Sequence, residues 1–252
     1  MNKDEYTKIN SEVIDKWCRD GWIWNKPISH DCFEKAKTGD WDMLLTPTKP
    51  VPKSWFCDMS GAKILGLASG GGQQMPIFAA LGACCTVLDF SQEQLNNEKQ
   101  LSEQEGYNIK LVHADMTKPL PFEDDEFDLI FNPVSNCYVE HVEPIWRECF
   151  RVLKKGGILL AGLDNGINFV FNEDETEFED RLPFNPLKNK KQYEYSIEND
   201  FGIQFSHTIE EQIGGQLDAG FMLTGIYEDT NEAGRLKDFG VPAFFATRAI
   251  KP

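Results

Sequence analysis

Long apolar runs are missing from this 252-residue chain: no stretch of about 18 apolar residues occurs, so no segment reads as a membrane-crossing helix. The first residues, Met1-Asn2-Lys3-Asp4-Glu5, lack the basic-then-apolar layout of a signal peptide, and a cytoplasmic location is expected. Paired cysteines are missing too. Seven cysteines, an odd number, include no Cys-x-x-Cys pair, which argues against a disulfide framework and against zinc. Cys84-Cys85 sit in an apolar, strand-like segment and read as small hydrophobes. Basic residues are scarce: 25 Lys and Arg against 41 Asp and Glu leave a net charge of −16, which repels phosphate backbones. Only Lys188-Asn189-Lys190-Lys191 gathers positive charge, so a nucleic-acid partner is disfavoured. Internal repeats are absent.

A hydrophobic content of 41% is enough for a sizeable core. From residue 62 to 165 strand-like and helix-like segments alternate. Strands are expected at Lys63–Leu67, Cys84–Leu88, Ile109–His113, Phe127–Phe131 and Gly157–Gly162, with helices at Ser91–Glu105 and Val142–Leu153. Such alternation specifies a parallel sheet with right-handed crossovers. Ser91 with Gln94 three residues on is a capping-box pair. Pro76 fits the first turn of a helix starting near Gly72-Gln73, where backbone N–H groups have no internal partner anyway. Farther on, Thr208–Gln212 reads as a short helix, and Phe221–Tyr227 and Ala243–Ala249 as strands that pair antiparallel.

Two regions depart from this regularity. Residues 1–60 concentrate Trp17, Trp22, Trp24, Trp41 and Trp55 and include the proline-stiffened segment Leu45–Pro52. They read as a cap on the 61–252 core, its tryptophans either fastening the arm or lining a pocket. Residues 166–205 begin with the acidic run Asn172–Glu177 and continue into an aromatic stretch with Tyr193 and Tyr195. An acidic run is ordinarily solvated, yet the position of this insertion suits a lid over a cleft.

The chemistry concentrates at strand tips. Lys63–Leu67 runs into Ala68-Ser69-Gly70-Gly71-Gly72, and about 20 residues on Thr86-Val87-Leu88 delivers Asp89. Small residues let the backbone approach a ligand closely, and a carboxylate at the second tip accepts both hydrogen bonds of a ribose diol. Together they are a nucleoside-holding arrangement.

These residues resemble the class I S-adenosylmethionine-dependent methyltransferases. Ile64–Gly72 looks like the first motif of that family, Val87–Ser91 like the second strand tip and Ala114-Asp115-Met116 like the adenine-contacting stretch. Pro119–Ile130 and Phe150–Gly157 are similar to the segments before strands four and five. The resemblance covers residues 62–252. It implies a Rossmann-like α/β fold, a seven-stranded, mostly parallel sheet with the last strand antiparallel and helices on both faces, to which the residues themselves add the N-terminal cap and the insertion after strand five. It implies S-adenosylmethionine as cofactor, with Ala68, Ser69, Gly70, Gly72, Asp89, Phe90, Asp115, Met116 and Asn132 as its contacts, and Asp128 as a structural acid. Two positions depart from the family pattern. Gly66 stands where an acid is usual and Ala68 where the first glycine is, so holding the methionine ammonium falls to backbone carbonyls or an N-terminal residue.

In open parallel sheets ligands sit beyond the carboxyl ends of the strands. The acceptor is therefore expected near Asn136 and Tyr138 after strand four and near Asp164 and Asn165 after strand five. Asn132-Pro133-Val134 is weakly similar to the Asn-Pro-Pro-Tyr motif of amino-methylating enzymes and makes Asn132 a catalytic candidate. His141 is the candidate base, titrating near neutrality, with a surface histidine as its competing reading. His30 is a poorer candidate, and His113 is expected to pack in strand three. The expected function is methyl transfer to a small molecule without any metal. The alternatives are an RNA or protein methyltransferase, a catalytically silent module that binds the same cofactor, and a nicotinamide-binding domain, which the antiparallel C-terminal pair fits badly.

Overall fold

In the computed structural model, residues 5–252 are described; the first four residues of the 1–60 cap lie outside them. Seven strands form one sheet: β1 (Lys63–Leu67), β2 (Cys84–Asp89), β3 (Ile109–His113), β4 (Phe127–Asn132), β5 (Leu153–Asp164), β6 (Met222–Asp229) and β7 (Phe244–Ile250). Their order is β3-β2-β1-β4-β5-β7-β6, with β7 antiparallel to both β5 and β6 and the other neighbours parallel. This is the expected Rossmann-like sheet. Where the chain reverses from β1 outward to β2 and then back to β4, a crevice opens, the place such folds use for ligands.

Central strands are apolar on both sides because both sides are covered. Leu65, Leu67 and Ile130 pack on one face with Trp146, while Ile64, Leu129 and Phe131 pack on the other with Met75 and Phe78. Alternate side chains point to opposite faces, and a parallel sheet sandwiched between layers needs hydrophobes at both. Cys84 is exposed as the first residue of β2, and every later residue of that strand, Cys85 included, is buried.

Helices α1 (Glu5–Arg19) and α2 (His30–Lys37) belong to the cap; α3 (Met75–Ala80) follows β1, α4 (Gln92–Glu105) follows β2, and α5 (Glu143–Val152) precedes β5. Three local outcomes differ from expectation. Helix α3 begins at Met75 rather than near Gly72-Gln73, because Gly71 and Gly72 take left-handed φ of 96° and 81°. Ser91 caps α4 by accepting from the Gln94 N–H at 3.2 Å, but the reciprocal half of the capping box is missing. The Ser91 N–H goes instead to the Asp89 carboxylate at 2.9 Å, a charged and therefore better acceptor. The segment expected as a short helix at Thr208–Gln212 becomes a π-helical turn, Glu210–Gly214, running into one turn of α-helix, Gly215–Asp218. A Cβ on Gly215 would lie 2.8 Å from Trp146, so the wide turn seats against that buried indole.

The arm from residue 43 to 56 is strapped across the sheet. The Leu45 carbonyl accepts from the Val134 N–H at 3.3 Å and passes so close to β5 that a Cβ on Gly162 would meet that oxygen at 1.9 Å. Asp229 at the end of β6 accepts from the Thr48 and Lys49 N–H groups at 2.8 and 3.0 Å and from the Thr48 hydroxyl. Trp55 lies on Tyr227, ring centroids 5.3 Å apart, and Trp41 meets Phe56 edge-on at 5.2 Å. Among the described residues no helix is long and apolar enough to cross a membrane.

Candidate active site

The β1–α3 loop and the tip of β2 are tied together by hydrogen bonds. Asp89 is 5% exposed; one oxygen accepts from the Gly70 N–H at 3.1 Å and the other from the Ser91 N–H. Burial outweighs these bonds and pushes its carboxyl up to about 6. A Cβ on Gly70 would lie 2.7 Å from Gln94 and 3.0 Å from the Asp89 carboxylate, so only glycine lets the loop come this close. Ala68 holds a left-handed φ of 48° and replaces glycine without losing the turn. Gly72 points its N–H at Glu98 Oε1 at 2.7 Å. Glu98 is fully buried, its carboxyl pushed by burial up to about 8, and nothing in the sequence motif announced it.

The missing acid at Gly66 has a steric counterpart. A Cβ there would lie 2.8 Å from the Met75 sulfur, so the thioether occupies the space an acidic side chain would need. Gln74, whose amide oxygen accepts from the Ser69 hydroxyl at 3.1 Å, offers polar atoms beside the loop instead.

Two cavities abut at this crevice. The smaller, about 30 Å³, is lined by Ala68, Asp89, Phe90, Asp115, Met116 and Tyr138, with Thr7 of α1 over it. It gathers most of the expected nucleoside contacts but has room for little more than one water molecule. Helix α1 accounts for this. Ser11 donates to the Phe90 carbonyl at 2.8 Å, and Asp15 accepts from the Ser91 hydroxyl at 2.6 Å and the Glu93 N–H at 3.1 Å. The larger cavity, about 560 Å³, has Ala68, Ser69 and Gly70 on one side and much of the 166–205 insertion on the other; Ala68 and Tyr138 border both cavities.

The remaining expected residues divide. Tyr138 and Asp164 line the larger cavity. Asp164 accepts from the Gly166 N–H at 2.6 Å through one oxygen, and desolvation pushes its carboxyl up to about 7. Asn165 serves a turn instead, donating to the Pro242 carbonyl and accepting from the Ile167 N–H. Asn132 is fully buried and lines neither cavity; it donates to the Leu67 carbonyl at 2.8 Å and to Ser135, leaving Oδ1 without a partner. Asn136 is buried with both side-chain atoms unpartnered. Asp115 closes a turn through the Thr117 N–H at 2.8 Å. Asp128 pairs with Lys154 and accepts from the Lys63 N–H, the structural role the resemblance implied.

His141 is placed on the surface, its side chain 51% exposed and 3.6 Å from Glu140, outside both cavities. His113 is exposed at the end of β3, with Nε2 2.9 Å from the Phe90 carbonyl, rather than packed. His30 is exposed beside Glu105. The histidine that sequence reasoning passed over is His207, buried with Nε2 2.9 Å from the Val139 carbonyl and 3.1 Å from that of Asn136; burial lowers its pKa. The signal that could have found it is the alternation Ile203-Gln204-Phe205-Ser206-His207, whose first, third and fifth side chains are buried. Trp22 and Trp24 line the larger cavity, while Trp41 and Trp55 fasten the arm, so both readings of the tryptophans apply. Glu175 of the acidic run is partly buried at the cavity, while Glu173, Asp174, Thr176 and Glu177 are exposed, so most of the run is solvated as expected.

Sheet order, the small-residue loop and the carboxylate at the tip of β2 together define a nucleoside-binding α/β transferase. A profile described as a methyltransferase domain matches residues 65–161. The uncharacterized methyltransferase YbaJ of Bacillus subtilis is 41% identical over 252 residues, covering 96% of this chain and 97% of that one. The demethylmenaquinone methyltransferase of Clavibacter sepedonicus is 38% identical over 102 residues, 39% of this chain and 40% of its own length. A crystal structure of an S-adenosylmethionine-dependent methyltransferase from Mesorhizobium loti superposes with a TM-score of 0.64 at 18% identity, over 79% of this chain and 94% of the other. The chain belongs to the class I S-adenosylmethionine-dependent methyltransferase family, and S-adenosylmethionine is its cofactor.

Proposed function

We propose that the protein transfers the methyl group of S-adenosylmethionine to a small molecule held in the larger cavity. One observation carries this reading: Ala68 and Tyr138 border both the nucleoside corner and a cavity of about 560 Å³, within the range of small-molecule sites. When bound, the cofactor supplies an electrophilic methyl carbon on a sulfonium.

The residues present fit that group chemically. Asp89 would accept from the ribose hydroxyls; Asp115 would accept from the adenine amino group, with Phe90 and Met116 on either side of the ring. Ser69, Gly70 and Gln74 would receive the methionine end, Gln74 standing in for the acid absent at Gly66. Helix α1 is the element that yields to admit the nucleoside, since Thr7 covers that corner; its contacts with Phe90, Ser91 and Glu93 then close over the bound cofactor. The insertion 166–205 acts as the lid of the acceptor side. Closure keeps water from the sulfonium and aligns the acceptor; such alignment supplies roughly 7–11 kcal/mol of a displacement barrier. Asp164, lining the cavity with a raised pKa, takes the proton-accepting role in preference to His141, which faces solvent. Seven free cysteines suit a reducing, cytoplasmic setting.

Calorimetry with S-adenosylhomocysteine tests the cofactor half directly. Binding that is lost or weakened in Asp89→Ala supports the reading; absence of binding to the wild type ends it. A silent module would bind but never release S-adenosylhomocysteine when single turnovers are run with a metabolite extract.

A further inference from the structure

The wall of the larger cavity carries a charge imbalance that the fold does not require. Five carboxylates line it, Asp164, Glu173, Glu175, Glu179 and Asp180, against the single cation Lys191. None of the five takes part in an ion pair among the described residues. Two are occupied as hydrogen-bond acceptors: Glu175 receives the Leu236 N–H at 2.6 Å and the Asn231 amide, and Asp180 receives the Gln192 amide at 3.0 Å. Glu173 and Glu179 stand at the solvent-exposed rim with no side-chain partner among the described residues, and Asp164 spends only one oxygen, on Gly166. Carboxylates gathered around one cavity and its mouth without counter-ions make a negative potential that draws a cation in.

Aromatic faces complete the wall: Trp22 and Trp24 from the cap, Phe169, Phe184 and Tyr195 from the insertion, and Phe244 at the start of β7. Tryptophan and tyrosine rings attract organic cations through their quadrupoles, and they shelter an apolar body at the same time. A neutral acceptor would gain from the rings but nothing from the acids. An anionic one would be turned away.

We infer that the methyl acceptor is an organic amine, entering as an ammonium with an apolar or aromatic body, drawn in by Glu173 and Glu179 and deprotonated at Asp164. The inference deepens the proposed function and rests on it. The step balances. The ammonium gives one proton to the Asp164 carboxylate; the freed nitrogen lone pair bonds to the methyl carbon as the carbon–sulfur bond breaks, and the electron pair of that bond stays on sulfur. The products are an N-methylated ammonium and S-adenosylhomocysteine, and Asp164 later returns its proton to water. Asp164 stands at the end of β5, on the strand-tip side where β1 and β2 also end, so acceptor and donor meet on one side of the sheet.

The test uses the full chain saturated with S-adenosylhomocysteine and three probes of one shape: 2-phenylethylamine, 2-phenylethanol and 3-phenylpropionate. Calorimetry should show the amine binding more tightly than the alcohol, the carboxylate not at all, and amine binding weakening as salt is raised. The Glu173→Gln, Glu179→Gln double variant should lose about tenfold in amine affinity while its affinity for S-adenosylhomocysteine is unchanged. With S-adenosylmethionine in place of the product, mass spectrometry should find the N-methyl amine, and Asp164→Asn should lower kcat far more than it raises KM. Equal or tighter binding of the alcohol, no measurable amine binding, or an indifferent double variant overturns the inference. Because S-adenosylhomocysteine binding is measured in the same samples, its failure marks the proposed function itself as wrong, and its persistence without amine selectivity marks only this inference.

Discussion

The two sides of the crevice are built by opposite rules. On the cofactor side each buried carboxylate already holds donors of the protein: Asp89 holds Gly70 and Ser91, Glu98 holds Gly72, and Asp15 of α1 holds Ser91 and Glu93, the unpartnered atoms there being mostly amides such as those of Gln94 and Asn132. On the acceptor side Glu173 and Glu179 at the exposed rim and one oxygen of Asp164 have no partner among the described residues. A site that binds one invariant molecule gains from pre-set geometry, since orientation supplied by the fold is not lost again on binding. The wall facing the variable partner keeps its charges free for the ligand.

The contrast is sharpest where the cap meets β5, and there the largest effect is expected. Gly162→Ala would drive a methyl group into the Leu45 carbonyl, 1.9 Å from the ideal Cβ position, and should cost roughly 3 kcal/mol of stability in urea unfolding. An unchanged midpoint would mean the arm does not cross β5 there. Next comes the clamp at the other end of the arm. Asp229→Ala strands the Thr48 and Lys49 N–H groups and should cost about 2 kcal/mol. The hydrogen bonds from Thr48 and its neighbours hold the Asp229 carboxyl below its ordinary value, so its contribution is present above about pH 4 and disappears as pH falls through the lowered pKa.

Asp89→Ala should weaken S-adenosylhomocysteine binding by about 1–3 kcal/mol. The pH dependence separates ligand binding from structure. Because the carboxyl titrates at about 6 in the folded chain against its ordinary 3.8, the empty protein keeps a proton that the unfolded chain has shed; on this group's account stability declines as pH rises between those values. A ribose diol needs the ionised acceptor, so affinity should rise over the same interval, and Asp89→Asn should flatten it. Asp15 also presses on this group, and Asp89 in turn presses on Glu98. Near pH 5 the smallest effect belongs to Glu98→Gln. Glu98 titrates at about 8, so the wild type should lose stability as pH climbs from about 4.5 to 8; the amide variant should not, and near pH 5 the two should unfold alike. A steeper slope in the variant would contradict the buried, half-protonated carboxyl.

Much of the cofactor side was legible beforehand. Lys63–Leu67 and Ile109–His113 occur as strands with the expected bounds, and Ser91 caps α4, because apolar continuity and a capping hydroxyl are local signals. The extent of β5 was not legible: the chain passes from α5 into the strand at Leu153 with no loop, and a register shift between Phe127 and Leu129 accommodates it. Glu98 was hidden on a helix that otherwise reads as polar, and His207 ends an alternating stretch, Ile203-Gln204-Phe205-Ser206-His207, that forms no strand. Glu175 did not stand out from the solvated acidic run because its partners, Asn231 and Leu236, lie more than fifty residues away in the chain.

The chain's own order of small, apolar and acidic residues settled the parallel sheet, the loop after β1 and the carboxylate at the tip of β2, since each depends on contacts a few residues long or on a period. Folding in three dimensions decided the rest: α1 closing the nucleoside corner, Met75 filling the place of an acid at Gly66, and Glu175 and Asp180 of the 166–205 insertion brought to the same cavity as Trp22 and Trp24. Those outcomes arise from packing between segments distant in sequence, where excluded volume and the demand that buried polar atoms find partners select one arrangement among many that local propensity allows.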